Sequence, residues 1–197
     1  MLERLRFLIR LGHAHKIARR YFVTNGFDGA LTLLGLITGF YSSGGVALPV
    51  VINACLGAAI ALTVSGLSSA YVSEAAERER ELLELEQALG HDLSDTDHGH
   101  AARLLPLLIA AVNGLAPLLI SLVIISPLGL AHAGFMLPFP PLEASVALAF
   151  AMLFLLGTFL GTVSGRFWLW SGLRTLLTAL LTAGVILLVE NYFLNAA

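Results

Sequence analysis

Hydrophobic and polar positions in this chain are segregated into long blocks. Residues 29–73 contain no Asp, Glu, Lys or Arg. As one helix, at about 1.5 Å rise per residue, that block would measure roughly 67 Å, about twice the hydrocarbon core of a bilayer. It therefore divides into two spans, and Tyr41-Ser-Ser-Gly-Gly45 supplies the turn between them. Further apolar blocks predict spans over 104–126, 143–164 and 172–193, and the first two fall at 27–44 and 47–72. A Pro/Gly-rich loop is expected from Pro127 to Pro141. No helix breaker follows the second span, so its helix is expected to continue past Leu83 into a polar extension; helix and loop together cover 73–102.

Composition agrees with this pattern. The chain has 197 residues, 57% apolar and 12% charged, with a mean hydropathy of +0.86. A soluble domain carries about 25% charged residues. Half that charge cannot coat a water-facing surface, and a net charge of -2 gives no basic excess for nucleic acid. The single cysteine, Cys55, excludes a disulfide framework. The expected class is an all-α integral membrane protein with five transmembrane helices, and its first partner is the lipid bilayer.

Charge placement orients it. Five spans put the termini on opposite sides, and all eleven Lys and Arg residues fall on one of them. The positive-inside rule makes that side cytoplasmic, with the N-terminus in and the C-terminus out. Trp168 and Trp170 fall at the inner interface, Tyr192 and Phe193 at the outer. Residues 1–22 are expected to form an interfacial amphipathic helix, with Leu2, Leu5, Leu8 and Ile9 opposite a basic face. The membrane domain is then 23–197. A signal peptide is rejected, since the apolar segment is too long and no small-residue cleavage site precedes Asp28. Short loops and no targeting extension point to a prokaryotic cell membrane.

Few residues could carry chemistry. Asp28, with Asn25, lies at the start of the first span; the pair either caps a helix or serves function at membrane depth. On the extension of the second span, Glu74, Glu77, Glu81 and Glu84 fall within an arc of about 80° at 100° per residue. Such a stripe suits a divalent cation, or Arg78 and Arg80 neutralise it. The segment His91–His100 is rich in ligand types without the spacing of any specific site, which fits a flexible polar loop. Glu190 is an acidic residue near the end of the fifth span, either exposed at the interface or involved in proton coupling. Gly157, Gly161 and Gly165 form a small-residue stripe for helix packing, and Gly35 and Gly39 a shorter one. Pro117 predicts a kink. No G-x-S-x-G, H-E-x-x-H or P-loop occurs, so an enzyme is not expected.

The ordered motifs resemble the vacuolar iron transporter family. Arg20…Asn25-Gly-Phe-Asp28-Gly29 is similar to that family's Arg…Gly-Ala-Asn-Asp-Gly at its first span. Residues Ser65 to Ser73, ending Tyr71-Val72-Ser73, resemble the end of its second span, and Arg80-Glu81-Leu-Leu-Glu84 its Arg-Glu-x-x-Glu run. Gly114-Leu-Ala-Pro117, Leu155-Leu-Gly157 and Gly172-Leu-Arg174 match later spans. The resemblance implies a homodimer exporting Fe²⁺ or Mn²⁺ from the cytoplasm in exchange for protons, with no permanently bound cofactor. Asp28, with Asn25, would line the ion path, and Glu77, Glu81 and Glu84 would gather metal. Gly66 and Ala70 stand where the family has methionine and glutamate; Glu74, one turn beyond Ala70, is the expected substitute in the path. The alternative is a non-transporting membrane scaffold or regulatory protein whose acidic helix binds a partner.

Overall fold

The computed structural model describes residues 14–195. These form five helices: α1 (Ala14–Ser43), α2 (Leu48–Leu89), α3 (Asp97–His132), α4 (Pro141–Val163) and α5 (Trp168–Asn195). No strand occurs among the described residues. Helices α2 to α5 are long and apolar enough to cross a membrane; α1 is not among them. Its polar N-terminal half, with Lys16, Arg19, Arg20 and Asp28, leaves too short an apolar run.

Several boundaries differ from the sequence expectation, each for a local reason. Helix α1 passes unbroken through residue 22, so the expected boundary between interfacial helix and span is absent; Leu2, Leu5, Leu8 and Ile9 lie outside the described residues. Asn25 and Asp28 sit well inside α1, where the helix already uses the backbone N–H groups, so neither caps it. Helix α3 starts at Asp97 and runs through Pro127 to His132, into the segment expected to be loop. Pro127 has no N–H for the Val123 carbonyl, and the Ser126 hydroxyl donates to that oxygen instead at 2.7 Å. Helix α4 begins on Pro141, whose missing N–H costs nothing in a first turn. The expected turn after α1 holds: Gly44 and Gly45 take φ of +63° and +67°, a region open to glycine.

Two compact units share these helices. The first takes in α1 up to Asn25 together with Thr63–Ala116; the second takes in Gly26–Leu62 and the described chain from Pro117 onward. In the first, Ile17 and Tyr21 of α1 pack on Ala101, Leu105 and Ile109 of α3. Helices α2 and α3 meet at two glycines: a β-carbon on Gly66 would lie 3.2 Å from the Gly114 Cα.

In the second unit α4 and α5 form an antiparallel pair. Gly157 faces Thr175 and Gly161 faces Ser171, closely enough that an added β-carbon would collide with either. The third glycine of that stripe, Gly165, does not pack; it ends α4 at φ +66° with nothing within 4 Å, and Arg166 N–H donates back to the Gly161 carbonyl at 3.0 Å. On α1, a β-carbon on Gly29 would lie 2.9 Å from the Pro117 Cα. Leu180, Leu181 and Leu188 of α5 are 58%, 62% and 70% exposed. Water penalises so apolar an uncovered helix, whereas hydrocarbon does not.

Candidate functional site

Two groups of polar side chains stand out among the described residues of the first unit. The upper one joins three helices through Asn113, an amide 3% exposed in the apolar body of α3. Its Nδ2 donates to the Gly66 carbonyl of α2 at 2.7 Å, and its Oδ1 accepts from the Asn25 amide of α1. Asn25 also donates to the Tyr21 carbonyl at 3.3 Å. The Gly66–Gly114 approach makes this bridge possible, since a side chain at Gly66 would press on the Asn113 amide, 3.4 Å from its β-carbon. Gly66, where the resembling family has methionine, is thus a close-packing position here.

The lower group lies on α2, which continues from Leu48 to Leu89 without a break. Glu74 is 7% exposed. Its Oε2 has no hydrogen bond, and Arg78 Nη2 approaches it to 3.6 Å. The same guanidinium binds Glu81 through Nη1 at 2.5 Å, leaving its buried Nε without a partner. Arg80 pairs with Glu84 at 2.9 Å. Beside them a cavity of about 210 Å³ is lined by Arg78, Glu81 and Leu85 of α2 and by His98 and Leu105 of α3.

The predicted residues therefore meet different fates. Asn25 joins the Asn113 bridge. Asp28 is exposed on α1, because the neighbouring Gly26 and Gly29 turn the packed face toward Ile120, Leu156 and Pro117. Glu74 is buried, Glu81 and Glu84 hold arginines, and Glu77 is exposed. Among the described residues no three His, Cys, Asp or Glu side chains converge to hold a metal ion.

Of the segment expected to be a flexible loop, residues 91–96 form a tied turn and residues 97–100 open helix α3. Leu93 is buried, and its N–H donates to Glu86 at 2.9 Å. Ser94 N–H donates to Asp92 Oδ1 at 2.8 Å, which holds the Asp92 carboxyl below its ordinary range. That contribution is present above the ordinary carboxylate range and is lost as pH falls through the lowered value. Asn113 and Glu86 are the structural residues that pattern reading missed. A lone Asn in an apolar block was the available signal for the first; nothing in the sequence marked Glu86.

Four helices long and apolar enough to cross a bilayer, with exposed apolar flanks, define an integral membrane protein of helical type. No protein-family model matches the chain, and no solved structure matches it. It is similar to an uncharacterized protein of Methanocaldococcus jannaschii, 28% identical over 178 residues covering 88% of this chain and 89% of that one.

Proposed function

We propose that the protein is a divalent-cation transporter resembling the vacuolar iron transporters, exporting Fe²⁺ or Mn²⁺ from the cytoplasm in exchange for protons as a homodimer in a prokaryotic cell membrane. The observation that carries this reading is Glu74: a buried carboxylate with one oxygen free of hydrogen bonds and a single counter-charge at 3.6 Å. Arg78 already binds Glu81 at 2.5 Å, so a cation that takes Glu74 leaves the arginine paired. An oxygen-donor path favours Mn²⁺ and Fe²⁺ over Cu(I). Asp28 also fits, because an exposed carboxylate at membrane depth calls for water or a second copy around it. Glu77, Glu81 and Glu84 are the gathering residues at the cytoplasmic mouth.

The test is metal flux into proteoliposomes followed with a metal-quenched dye. Wild type should pass Mn²⁺, and Glu74→Gln and Asp28→Asn should each cut the rate at least tenfold. No flux in wild type, or flux indifferent to both changes, overturns the reading. One observation favours the scaffold alternative: the Arg78–Glu81 and Arg80–Glu84 pairs neutralise two of the four carboxylates of the acidic stripe internally, beside exposed Leu83, Leu85 and Leu89. A stoichiometric partner co-purifying without metal would favour it.

A further inference from the structure

The second unit holds an ionisable group that the cation path does not use. Helix α5 carries two charged residues, Arg174 near its start and Glu190 near its end, separated by about 24 Å at 1.5 Å per residue. A glutamate at a membrane surface ordinarily reaches both oxygens into water. Glu190 does not. Its Oε1 lies 3.0 Å from where a β-carbon on Gly39 of α1 would sit, and its Oε2 is buried without a hydrogen-bond partner. Next to Gly39, Thr38 is 7% exposed, and its hydroxyl is likewise buried and unpartnered. Thr38 lines a cavity of about 430 Å³ walled by Phe150 of α4 and Leu187 of α5. The ionisable side chains on that cavity are Tyr41 of α1 and Glu143 of α4; no Lys or Arg lines it. Tyr192 is the nearest titratable neighbour along α5.

A buried carboxylate oxygen with no partner calls for an explanation. Among the described residues no Lys or Arg pairs with it, and none lines the cavity beside Thr38. A divalent metal ion would want about six oxygen ligands, and one carboxylate with one hydroxyl falls far short. A proton needs one oxygen. We propose that Glu190 is a proton-binding carboxyl at the α1–α5 contact. It takes a proton from water onto Oε2, becoming the neutral acid, and returns it to water as the carboxylate. Gly39 is glycine because the carboxyl occupies the space a side chain would need.

Infrared difference spectroscopy of the full chain in lipid vesicles, through a pH jump, tests this without metal. Its outcome is therefore separable from that of the transport reading. Wild type should show the carbonyl band of a protonated carboxyl, absent in Glu190→Gln and retained in Glu143→Gln. Gly39→Ala keeps the carboxyl but presses on Oε1, and should displace the band. A wild type without the band, a band untouched by Glu190→Gln, or one unmoved by Gly39→Ala overturns the proposal.

Discussion

Glu74 and Glu190 are the same side chain under two regimes. In the first unit, Glu74 is buried against an arginine one turn along its own helix, and that arginine reaches a second glutamate. In the second unit, Glu190 is turned toward a glycine, and no basic residue lines the cavity beside the neighbouring Thr38. The surroundings differ in the same sense. The first unit adds directed polar contacts to its apolar packing, with Asn113 bridging α1 and α2. In the second, close approach leads: glycines on α4 against Ser171 and Thr175 of α5, and Gly29 of α1 against Pro117, with the Thr175 hydroxyl donating to the Leu153 carbonyl across the pair. Fixed charge is compensated where the chain is polar, and a group able to change its charge stands where it is not.

The change with the largest expected effect breaks the first regime. Arg78→Leu removes the counter-charge of a buried carboxylate and should destabilise by about 3 kcal/mol, the range found when one member of a buried pair is lost. The measurement is the thermal unfolding midpoint in detergent. Adding Glu74→Leu to Arg78→Leu should recover most of the loss, because the stranded charge goes too; a double variant as unstable as the single would mean that packing of the arginine stem dominates. Next comes the second regime. Gly157→Val drives two methyl groups into Thr175 and its bond to the Leu153 carbonyl. Overpacking of this kind costs roughly 1–3 kcal/mol, and Thr175→Ala in the same chain should relieve part of it. A Gly157→Val protein that melts like wild type would show that α4 and α5 are not held by close approach.

Much of the helical layout was legible because its signals are one-dimensional. A bilayer fixes span length, so uncharged blocks of a given size announce themselves, and Gly44–Gly45 marks a turn that helical residues resist. Helix ends were less legible. Pro127 reads as a stop, yet Ser126 supplies the hydrogen bond that the proline cannot, a repair that depends on one side-chain rotamer. A cap is one of two readings open for Asn25 and Asp28, because the first span is expected to start beside them; the charged residues before them do not end the helix, which begins well upstream. In the candidate site, periodicity placed Glu74, Glu77, Glu81 and Glu84 on one stripe, but not which of them an arginine reaches: Arg78 serves Glu74 and Glu81, and Glu77 is left exposed. Asn113 and the Glu190–Gly39 contact join helices far apart in sequence, and no local pattern records them.

The smallest expected effect falls on the second ion pair of the same helix. Arg80 and Glu84 are 73% and 62% exposed and stand at i and i+4, at 2.9 Å, which by distance alone is a better pair than Arg78 with Glu74 at 3.6 Å. Distance does not decide the outcome. Water solvates both partners of the exposed pair before and after it breaks, and salt screens what attraction remains. Arg80→Ala should therefore leave the unfolding midpoint unchanged within error at physiological salt, while Arg78→Leu lowers it. Should Arg80→Ala prove as costly as Arg78→Leu, burial would not be what separates the two pairs, and the arginines would be acting on the helix as a charged network.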